Sequence, residues 1–225
     1  EASPLRSRII GYHVANGIYG EWHYFGSCHM PDVSAPFTAA FRRWAEGRYG
    51  SVEELRRAWG RHLAGFDDIR APDVQERTVL DCDLLRDPAR SRFVSDYYRF
   101  LHDLSADTLL HFAAVVKEAT QRRVLCGALY CYLLENLWIQ EGGHLRGPRA
   151  LTSPDLDYVS CPYSYQGRVY DDAGNYLGTA RGVGGDAAYR VPIGSVRAHG
   201  KLYLNETDTA TWLEYDPELT SYGGE

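Results

Sequence analysis

The sequence predicts an α/β fold in which parallel strands are covered by outer helices. Three observations predict it. Short apolar segments alternate along the chain with segments of helical periodicity. One of the apolar segments, VLCGALYCYLL over 124–134, lacks the two-residue alternation of a half-exposed strand, which is typical of a strand buried on both faces in a parallel sheet. A long helical pattern directly precedes it, as the crossover between parallel strands requires.

Four strands are expected from the apolar segments. The first is RIIGYHV over 8–14, and a Gly-rich loop with aromatic residues follows it. The second is the unalternated segment over 124–134. The third and fourth are DLDYVSC over 155–161 and LYLN over 202–205.

The first two helices are predicted by spacing and by capping residues. Apolar residues recur at helical spacing from Phe37 onward, and this helix ends at Gly50. Ser51 and Glu54 then form a capping box, in which the Ser51 hydroxyl accepts from the third helical N–H and Glu54 reaches back. The helix that they begin stops at Gly60.

A long helix is predicted from Asp87 to about residue 120. Asp87 is a favourable N-cap, and Pro88 suits the first helical position because the N–H that it lacks would have no helical partner there. Two shorter helices and two irregular segments complete the pattern: helices over 145–151 and 193–199, irregular segments over 61–86 and 162–192.

The order of these elements predicts half of a barrel. Strands and helices alternate in four units, and four such units are half of a (β/α)8 or TIM barrel. We therefore expect a single domain, 1–225, with the architecture of a partial barrel and its chemistry at the carboxyl ends of the strands. A half-barrel exposes two sheet edges and an apolar inner face, so we expect this span alone to fold poorly or to associate.

The composition excludes several classes of protein. The 225 residues hold 24 Lys and Arg against 30 Asp and Glu, and the net charge of -6 disfavours nucleic acid or an anionic membrane as a partner. No apolar run is long enough to span a membrane. Neither an initiator Met nor a signal-peptide core begins the sequence, which indicates a removed leader or an internal piece of a longer chain and leaves the compartment open.

Two glutamates stand just beyond strand ends and form the candidate catalytic pair. Glu21 lies in the loop after the first strand, and Glu206 ends the last strand. Two carboxyl groups on one face of a barrel are the minimum for cleaving a glycoside: one is protonated to assist the leaving oxygen, and the other is ionised to attack. Aromatic neighbours supply a surface for sugar and can raise one carboxyl pKa. Taken singly, either residue could instead be a solvated loop acid.

The segment FRRWAEGRYGSVEELRRAWG, over 41–60, carries a more specific signal. The spacing of its Trp and Gly residues resembles the FxxWLxxKYGxxxxLNxAWG signature of family 42 glycoside hydrolases, the β-galactosidase-type enzymes. The similarity extends over nearly all of the chain. The resemblance implies strands four to seven of a (β/α)8 catalytic barrel, with the first three strands and the eighth outside this sequence.

The resemblance also implies roles for single residues. Glu206 falls where the family's nucleophile ends the seventh strand. In the fourth strand the family pattern resembles IIGWQxDNE, with the acid/base Glu directly after Asn. Ile9 to Asn16 run in register with that pattern, but Gly17 takes the place of the Glu. Glu21, four residues later, is therefore the predicted acid/base.

Binding of a neutral sugar requires stacking rings and partners for its hydroxyls. The candidate substrate-binding residues are Asn16, Trp22, Tyr130, Tyr163 and Tyr165. Tyr132 and His144, which lie in and after the second predicted strand, could also line the site. Rim packing is the alternative for Tyr130 and Tyr132, and a solvated loop position is the alternative for His144.

The function expected is a retaining glycoside hydrolase that acts on β-linked galactosides or related glycans without a cofactor or metal. Members of the family often hold zinc with a Cys cluster after strand four, whereas this sequence has only Cys28 there, and the spacing of His13, His23 and His29 matches no short ligand motif. Two alternatives stay open: a non-catalytic carbohydrate-binding relative, and a metal-assisted barrel hydrolase that uses this loop. Family relatives are often trimers, which implies a homo-oligomer for the full-length protein.

Overall fold

The architecture is seen in a computed structural model, which describes residues 3–23, 32–78, 86–134, 142–162, 168–170, 172–173, 176–179 and 190–206. The helices are α1 Ala35–Tyr49, α2 Val52–Trp59, α3 Val74–Thr78, α4 Pro88–Ala119, α5 Gly147–Thr152 and α6 Ile193–Ala198. The strands are β1 Gly11–His13, β2 Leu125–Leu129, β3 Tyr158–Pro162, β4 Arg168–Tyr170, β5 Tyr176–Thr179 and β6 Leu202–Glu206. Short 3-10 turns occur at Arg6–Arg8, Ile18–Gly20 and Phe66–Asp68.

The main sheet has four parallel strands in the order β1-β2-β3-β6. Because this order follows the chain without reversal, the sheet winds as a barrel does and lacks the switch point of a doubly wound sheet. The predicted partial (β/α)8 barrel is confirmed. Strands β1 and β6 are the edges among the described strands, and the expectation that this span alone associates stays a prediction.

The two faces of the sheet differ in what covers them. Cys126, Ala128, Val159 and Cys161 point to one face, where they are fully buried in a core formed with α4, α5 and α6. The opposite face is the inner face of the barrel. On it the ring of Tyr158 lies over Gly127, where an added Cβ would approach the ring to 2.4 Å. Side chains of β6 on this face, such as Leu204 at 49% exposure, remain accessible.

Capping explains where the main helices begin. The Ser51 hydroxyl accepts from the backbone N–H of Glu54 at 3.2 Å, as predicted, while the Glu54 carboxylate pairs with Arg57. Asp87 accepts from the backbone N–H of Ala89 at 2.9 Å, and Pro88 occupies the first turn of α4. Ser34 caps α1 in the same way, which the sequence prediction did not include.

The signature segment over 41–60 forms the outer helical layer. Its residues Phe41, Leu55 and Trp59 are buried against α4 in a second, mainly aromatic core. Tyr49 and Trp59 both donate to the buried carboxylate of Asp96 on α4. The spacing of the signature therefore encodes how α1 and α2 pack on α4.

Two segments predicted to be irregular contain regular structure. The 61–86 segment includes α3, where Asp73 and Glu76 accept from each other's backbone N–H groups at 2.8 and 2.9 Å. The 162–192 segment includes β4 and β5, which pair as an antiparallel hairpin. Among the described helices, none combines the length and apolar character needed to cross a membrane.

Candidate active site

The loop after β1 leaves the sheet and returns to it. The backbone N–H of Val14 donates to Gly127 of β2 at 2.9 Å, so the chain is still paired with the sheet at that point. Six residues after Asn16, the N–H of Trp22 donates back to the Asn16 carbonyl at 2.8 Å. This closure brings Glu21, the residue before Trp22, back to the end of the strand.

The closure also explains the glycine that replaces the family's glutamate. Gly17 has a φ of 74°, in the left-handed region that favours glycine. A Cβ on Gly17 would lie 2.8 Å from the carbonyl oxygen of His23 as the chain returns. A side chain therefore does not fit at this position, and the carboxyl group nearest to it along the chain is that of Glu21.

Trp22 fixes the returning segment within the core. It is 3% exposed, and its indole N–H donates to the carbonyl of Val14 at 3.0 Å. Its ring lies beside Phe112 of α4, with 6.4 Å between ring centroids. The geometry thus gives Trp22 a packing role, and its predicted contact with a sugar finds no support there.

Tyr132 contacts one candidate carboxylate and is affected by the charge of the other. The Tyr132 hydroxyl donates to Oε1 of Glu21 at 3.4 Å, a long hydrogen bond. Burial raises the pKa of the Tyr132 phenol, and the negative charges of Glu21 and of Glu206 raise it further. Both carboxylates therefore lie within electrostatic reach of one hydroxyl group, although 185 positions separate them in the sequence.

Glu206 points away from the helical layer. It is the last residue of β6, paired with Pro162 at the end of β3. Tyr203 packs against the core beneath the sheet. Since successive side chains of a strand alternate in direction, Leu204 and Glu206 project from the opposite, inner face. Glu206 is exposed.

A pair of stacked histidines lies under Glu21. The ring centroids of His23 and His144 are 4.4 Å apart, and the ring planes are nearly parallel, with an angle of 4° between them. Burial lowers the pKa of His23 to about 4 and lowers that of His144 well below its usual value. Both rings are therefore neutral near pH 7. The sequence predicts either a hydroxyl-binding residue or a solvated loop residue at His144, whereas the structure buries it completely.

Arg190 supplies positive charge beside this group. The charge of its guanidinium offsets part of the rise in the Tyr132 pKa and adds to the fall in the His23 pKa that burial causes. Its carbonyl accepts from the backbone N–H groups of Leu133 and Leu134. Arg190 comes from a segment predicted to be irregular, 58 positions after Tyr132, and no local pattern in the sequence connects the two.

The remaining predicted substrate-binding residues are Asn16, Tyr130, Tyr163 and Tyr165. Asn16 lies at the strand end with an exposed side chain, whereas Tyr130 is fully buried and donates from its hydroxyl to the Gly143 carbonyl at 2.9 Å. Tyr130 is therefore a packing residue, with no ring face open to sugar. Tyr163 and Tyr165 lie outside the described residues.

The candidate metal ligands have other partners. Nδ1 of His13 lies 3.2 Å from the hydroxyl of Tyr158, and Nδ1 of His23 lies 3.2 Å from the carbonyl of Gly142. No group of three or more acidic, His or Cys side chains suited to a metal occurs in the ranges described, but Cys28 and His29 are outside them. The expectation that the protein works without a metal stays a prediction.

Fold and site together define a class. A parallel sheet in barrel order, with candidate carboxylates in the loop after its first strand and at the end of its last, is compatible with a barrel glycoside hydrolase. The family model described as beta-galactosidase, glycoside hydrolase family 42, matches residues 6–137. The chain belongs to glycoside hydrolase family 42.

A relative in sequence and two solved structures are similar to this chain. A beta-galactosidase from an Arthrobacter species is 34% identical over 91 residues, which cover 36% of this chain and 13% of that protein. The catalytic domain of a beta-amylase from Paenibacillus polymyxa superposes with a TM-score of 0.59 at 18% identity, over 92% of this chain and 52% of that one, and this likeness supports the fold alone. An agarase, AgWH50C, superposes with a TM-score of 0.40 at 17% identity, over 68% of this chain and 20% of its own. The chain thus spans about half of the amylase domain and a smaller part of the galactosidase.

Proposed function

We propose that this chain carries the catalytic carboxylates of a retaining glycoside hydrolase that cleaves β-linked galactosides. The observation that carries the proposal is the hydrogen bond between Glu21 and the hydroxyl of Tyr132, whose pKa is also raised by the charge of Glu206. The choice of galactosides rests on the family's description and on the name of the Arthrobacter relative.

The first step forms a glycosyl-enzyme ester. A carboxylate oxygen of Glu206 attacks the anomeric carbon of the galactoside, and the bond from that carbon to the leaving oxygen breaks. Glu21 gives its proton to the leaving oxygen as this bond breaks, so that the aglycone departs as a neutral alcohol. The sugar is then held on Glu206, and Glu21 is left ionised.

The second step releases the sugar with its configuration retained. Glu21, now a carboxylate, accepts a proton from a water molecule whose oxygen attacks the anomeric carbon. The ester bond to Glu206 breaks, its carboxylate reforms, and Glu21 is again protonated. Retention requires carboxyl groups about 5–5.5 Å apart, close enough for a single phenol such as that of Tyr132 to interact with both.

The positions of the two carboxylates on the fold support these roles. Glu206 ends a strand on the inner face of the barrel, where an attacking group meets substrate. Glu21 is half-buried and is brought to the end of β1 by the hydrogen bond from Trp22 to Asn16. The return of the loop thus offers a carboxyl group next to Asn16, as the Asn-Glu order of the family requires.

The leaving group of the substrate tests the role of Glu21. In the complete natural protein, we expect Glu21→Gln to lower kcat/KM for phenyl β-galactoside by about 10²- to 10⁴-fold. For the same variant, kcat/KM on 2,4-dinitrophenyl β-galactoside should stay within about tenfold of the wild-type value, because this leaving group needs no proton. Glu53→Gln, an exposed glutamate of α2, is the matched control and should change neither rate.

Azide distinguishes the two carboxylates by the product that it forms. Glu21→Ala should be accelerated by azide and give the β-galactosyl azide, because the sugar is still held on Glu206 when azide attacks. Glu206→Ala should instead give the α-galactosyl azide, because azide then takes the place of the nucleophile. Equal losses on both substrates in Glu21→Gln, or wild-type rates in Glu206→Ala, would reject the mechanism. Sugar binding by calorimetry without any hydrolysis in the wild type would favour the non-catalytic alternative.

A further inference from the structure

We propose that His144 is a positioning residue for the acid/base glutamate. Its ring holds the backbone of Glu21 at a fixed place relative to Tyr132, whose hydroxyl contacts the Glu21 carboxyl group. The inference rests on the proposed function, since it gives His144 a part in the role assigned to Glu21. His144 itself contacts no reacting atom.

The ring of His144 joins two loops by its two nitrogens. Nε2 lies 2.8 Å from the carbonyl oxygen of Glu21, in the loop after β1. Nδ1 lies 3.0 Å from the backbone nitrogen of Tyr132, in the segment after β2. The hydroxyl of the same tyrosine donates to the Glu21 carboxyl group. His144 thus holds the main chain of Glu21 at a fixed place relative to the partner of its side chain.

These two bonds specify the tautomer. The backbone N–H of Tyr132 can only donate, so Nδ1 of His144 must carry a lone pair. The carbonyl of Glu21 can only accept, so Nε2 must carry the proton. The ring is therefore neutral and is oriented by one donor and one acceptor, an arrangement that it keeps only in the Nε2–H form.

Packing leaves the ring no other orientation. His144 is fully buried, and His23 stacks on it in a nearly parallel arrangement. Tyr130 lies against it with 4.6 Å between ring centroids, and Tyr132 approaches edge-on at 4.7 Å. A ring held on several sides transmits its position to the groups to which it is bonded.

The backbone beside both partners is in an unfavourable conformation. Trp22, directly after Glu21, has a φ of 60°, and Cys131, directly before Tyr132, has a φ of 73°. Residues other than glycine rarely adopt this left-handed region, and such conformations persist only where the surroundings enforce them. The hydrogen bonds of His144 are made next to both positions and help to enforce them.

Two substitutions separate the two bonds. An Asn side chain places its carbonyl oxygen near the position of Nδ1, so His144→Asn keeps an acceptor for Tyr132 but has no donor that reaches Glu21. A Gln side chain places its amide near the position of Nε2, so His144→Gln keeps a donor for Glu21. Both variants lose the aromatic ring and its stacking on His23. They differ in the bond that is retained and in the length of the side chain by one methylene group.

The expected result is a selective loss in one variant of the complete natural protein. His144→Asn should lower kcat/KM on phenyl β-galactoside by about 10- to 100-fold and stay within about threefold of wild type on the dinitrophenyl substrate. His144→Gln should stay within about fivefold of wild type on both substrates. His102→Asn is the matched control, because Nδ1 of His102 accepts from the backbone N–H of Leu145 at 3.1 Å, in the same segment. It should leave the ratio of the two rates unchanged.

The outcomes separate this proposal from the proposed function. If Glu21→Gln is selective for the leaving group but both His144 variants lower the two rates by equal factors, His144 only packs and the inference is wrong. If Glu21→Gln itself shows no selectivity, the acid/base assignment fails first. Nitrogen-15 NMR of the wild type gives a test that needs no variant to fold: we expect the Nε2–H tautomer at His144, and the Nδ1–H tautomer would overturn the proposal.

Discussion

Replacing Asp96 by Asn should destabilise the outer helical layer and leave the chemistry intact. The carboxylate of Asp96 is fully buried on α4 and accepts from five side chains or pairs with them. Trp59 donates from its indole at 3.0 Å and Tyr49 from its hydroxyl, both to Oδ2. Arg92 and Arg99 lie 3.2 and 3.3 Å from Oδ1, and Arg48 is 3.8 Å away.

The size of the stability loss in Asp96→Asn depends on which of these donors can be solvated by water instead. The arginine side chains are 30% to 45% exposed, so each ion pair contributes only about 0.2–1 kcal/mol. The Tyr49 and Trp59 bonds are made to a buried charge, and with a neutral amide each weakens by about 1 kcal/mol. An Asn can turn its oxygen toward these two donors, but its NH2 then faces the arginines. We expect a total loss of about 3 kcal/mol in the free energy of unfolding.

Urea and thermal unfolding of the complete protein, followed by tryptophan fluorescence, measure this loss. In a domain of this size it corresponds to a fall in Tm of roughly 6–12 °C, and kcat should not change. Asp103→Asn is the matched control. Asp103 is also on α4 and also accepts from a tryptophan and an arginine, Trp44 at 2.8 Å and Arg146 at 2.5 Å, but its side chain is 20% exposed. A loss at Asp96 below about 1 kcal/mol, or smaller than that at Asp103, would refute the reasoning.

Two further predictions concern pH and the inner face of the barrel. Since burial lowers the pKa of His23 from 6.5 to about 4, the unfolded chain binds a proton between these values that the native chain does not. The free energy of unfolding should therefore be highest above pH 6.5 and fall by about 1–3 kcal/mol toward pH 4. Urea midpoints measured against pH should change less in His23→Phe than in the wild type. Parallel pH profiles for the two proteins would contradict this. Gly127→Ala should lower the free energy of unfolding by about 1–3 kcal/mol, because its Cβ would meet the ring of Tyr158. Gly47→Ala, in open space on α1, is the control and should raise the free energy of unfolding by about 0.5–1 kcal/mol. Equal shifts in Tm would be evidence against the close approach at Gly127.

The elements whose signals are local could be predicted from the sequence. The Ser51 and Asp87 caps, the length of α4 and the unalternated strand β2 each depend on residues that are close together in the chain. The first strand is predicted over 8–14, whereas the strand of the structure is Gly11–His13, with further hydrogen bonds to β2 from Ile10 and Val14. Helix α3 was missed because its apolar pattern covers little more than one turn and its start is fixed by the exchange of hydrogen bonds between Asp73 and Glu76.

The site was less predictable because its contacts are distant in sequence. The carboxylates could be proposed, since each stands beside a strand end. The burial of His144 could not, because its partners are main-chain groups of Glu21 and Tyr132, and nothing in the residue types near position 144 indicates them. The sequence places Trp22 at the sugar because it stands beside an acid. An aromatic residue in that position is equally suited to packing under a loop, and the structure buries it.

Under the proposed function, the loop after β1 keeps a catalytic position while the residue that occupies it in the family pattern is lost. A strand end fixes where a carboxyl group is needed, but it does not fix which residue brings the group there. Here the chain turns out after Asn16 with the help of a left-handed Gly17, and the N–H of Trp22 closes the turn at 2.8 Å. Because closure returns the main chain to the strand, Glu21 can take a place that lies four residues earlier in the family pattern. The position of a functional group in a barrel is thus a property of the hydrogen bonds that close the loop, and an alignment that counts residues alone places a glycine at that point.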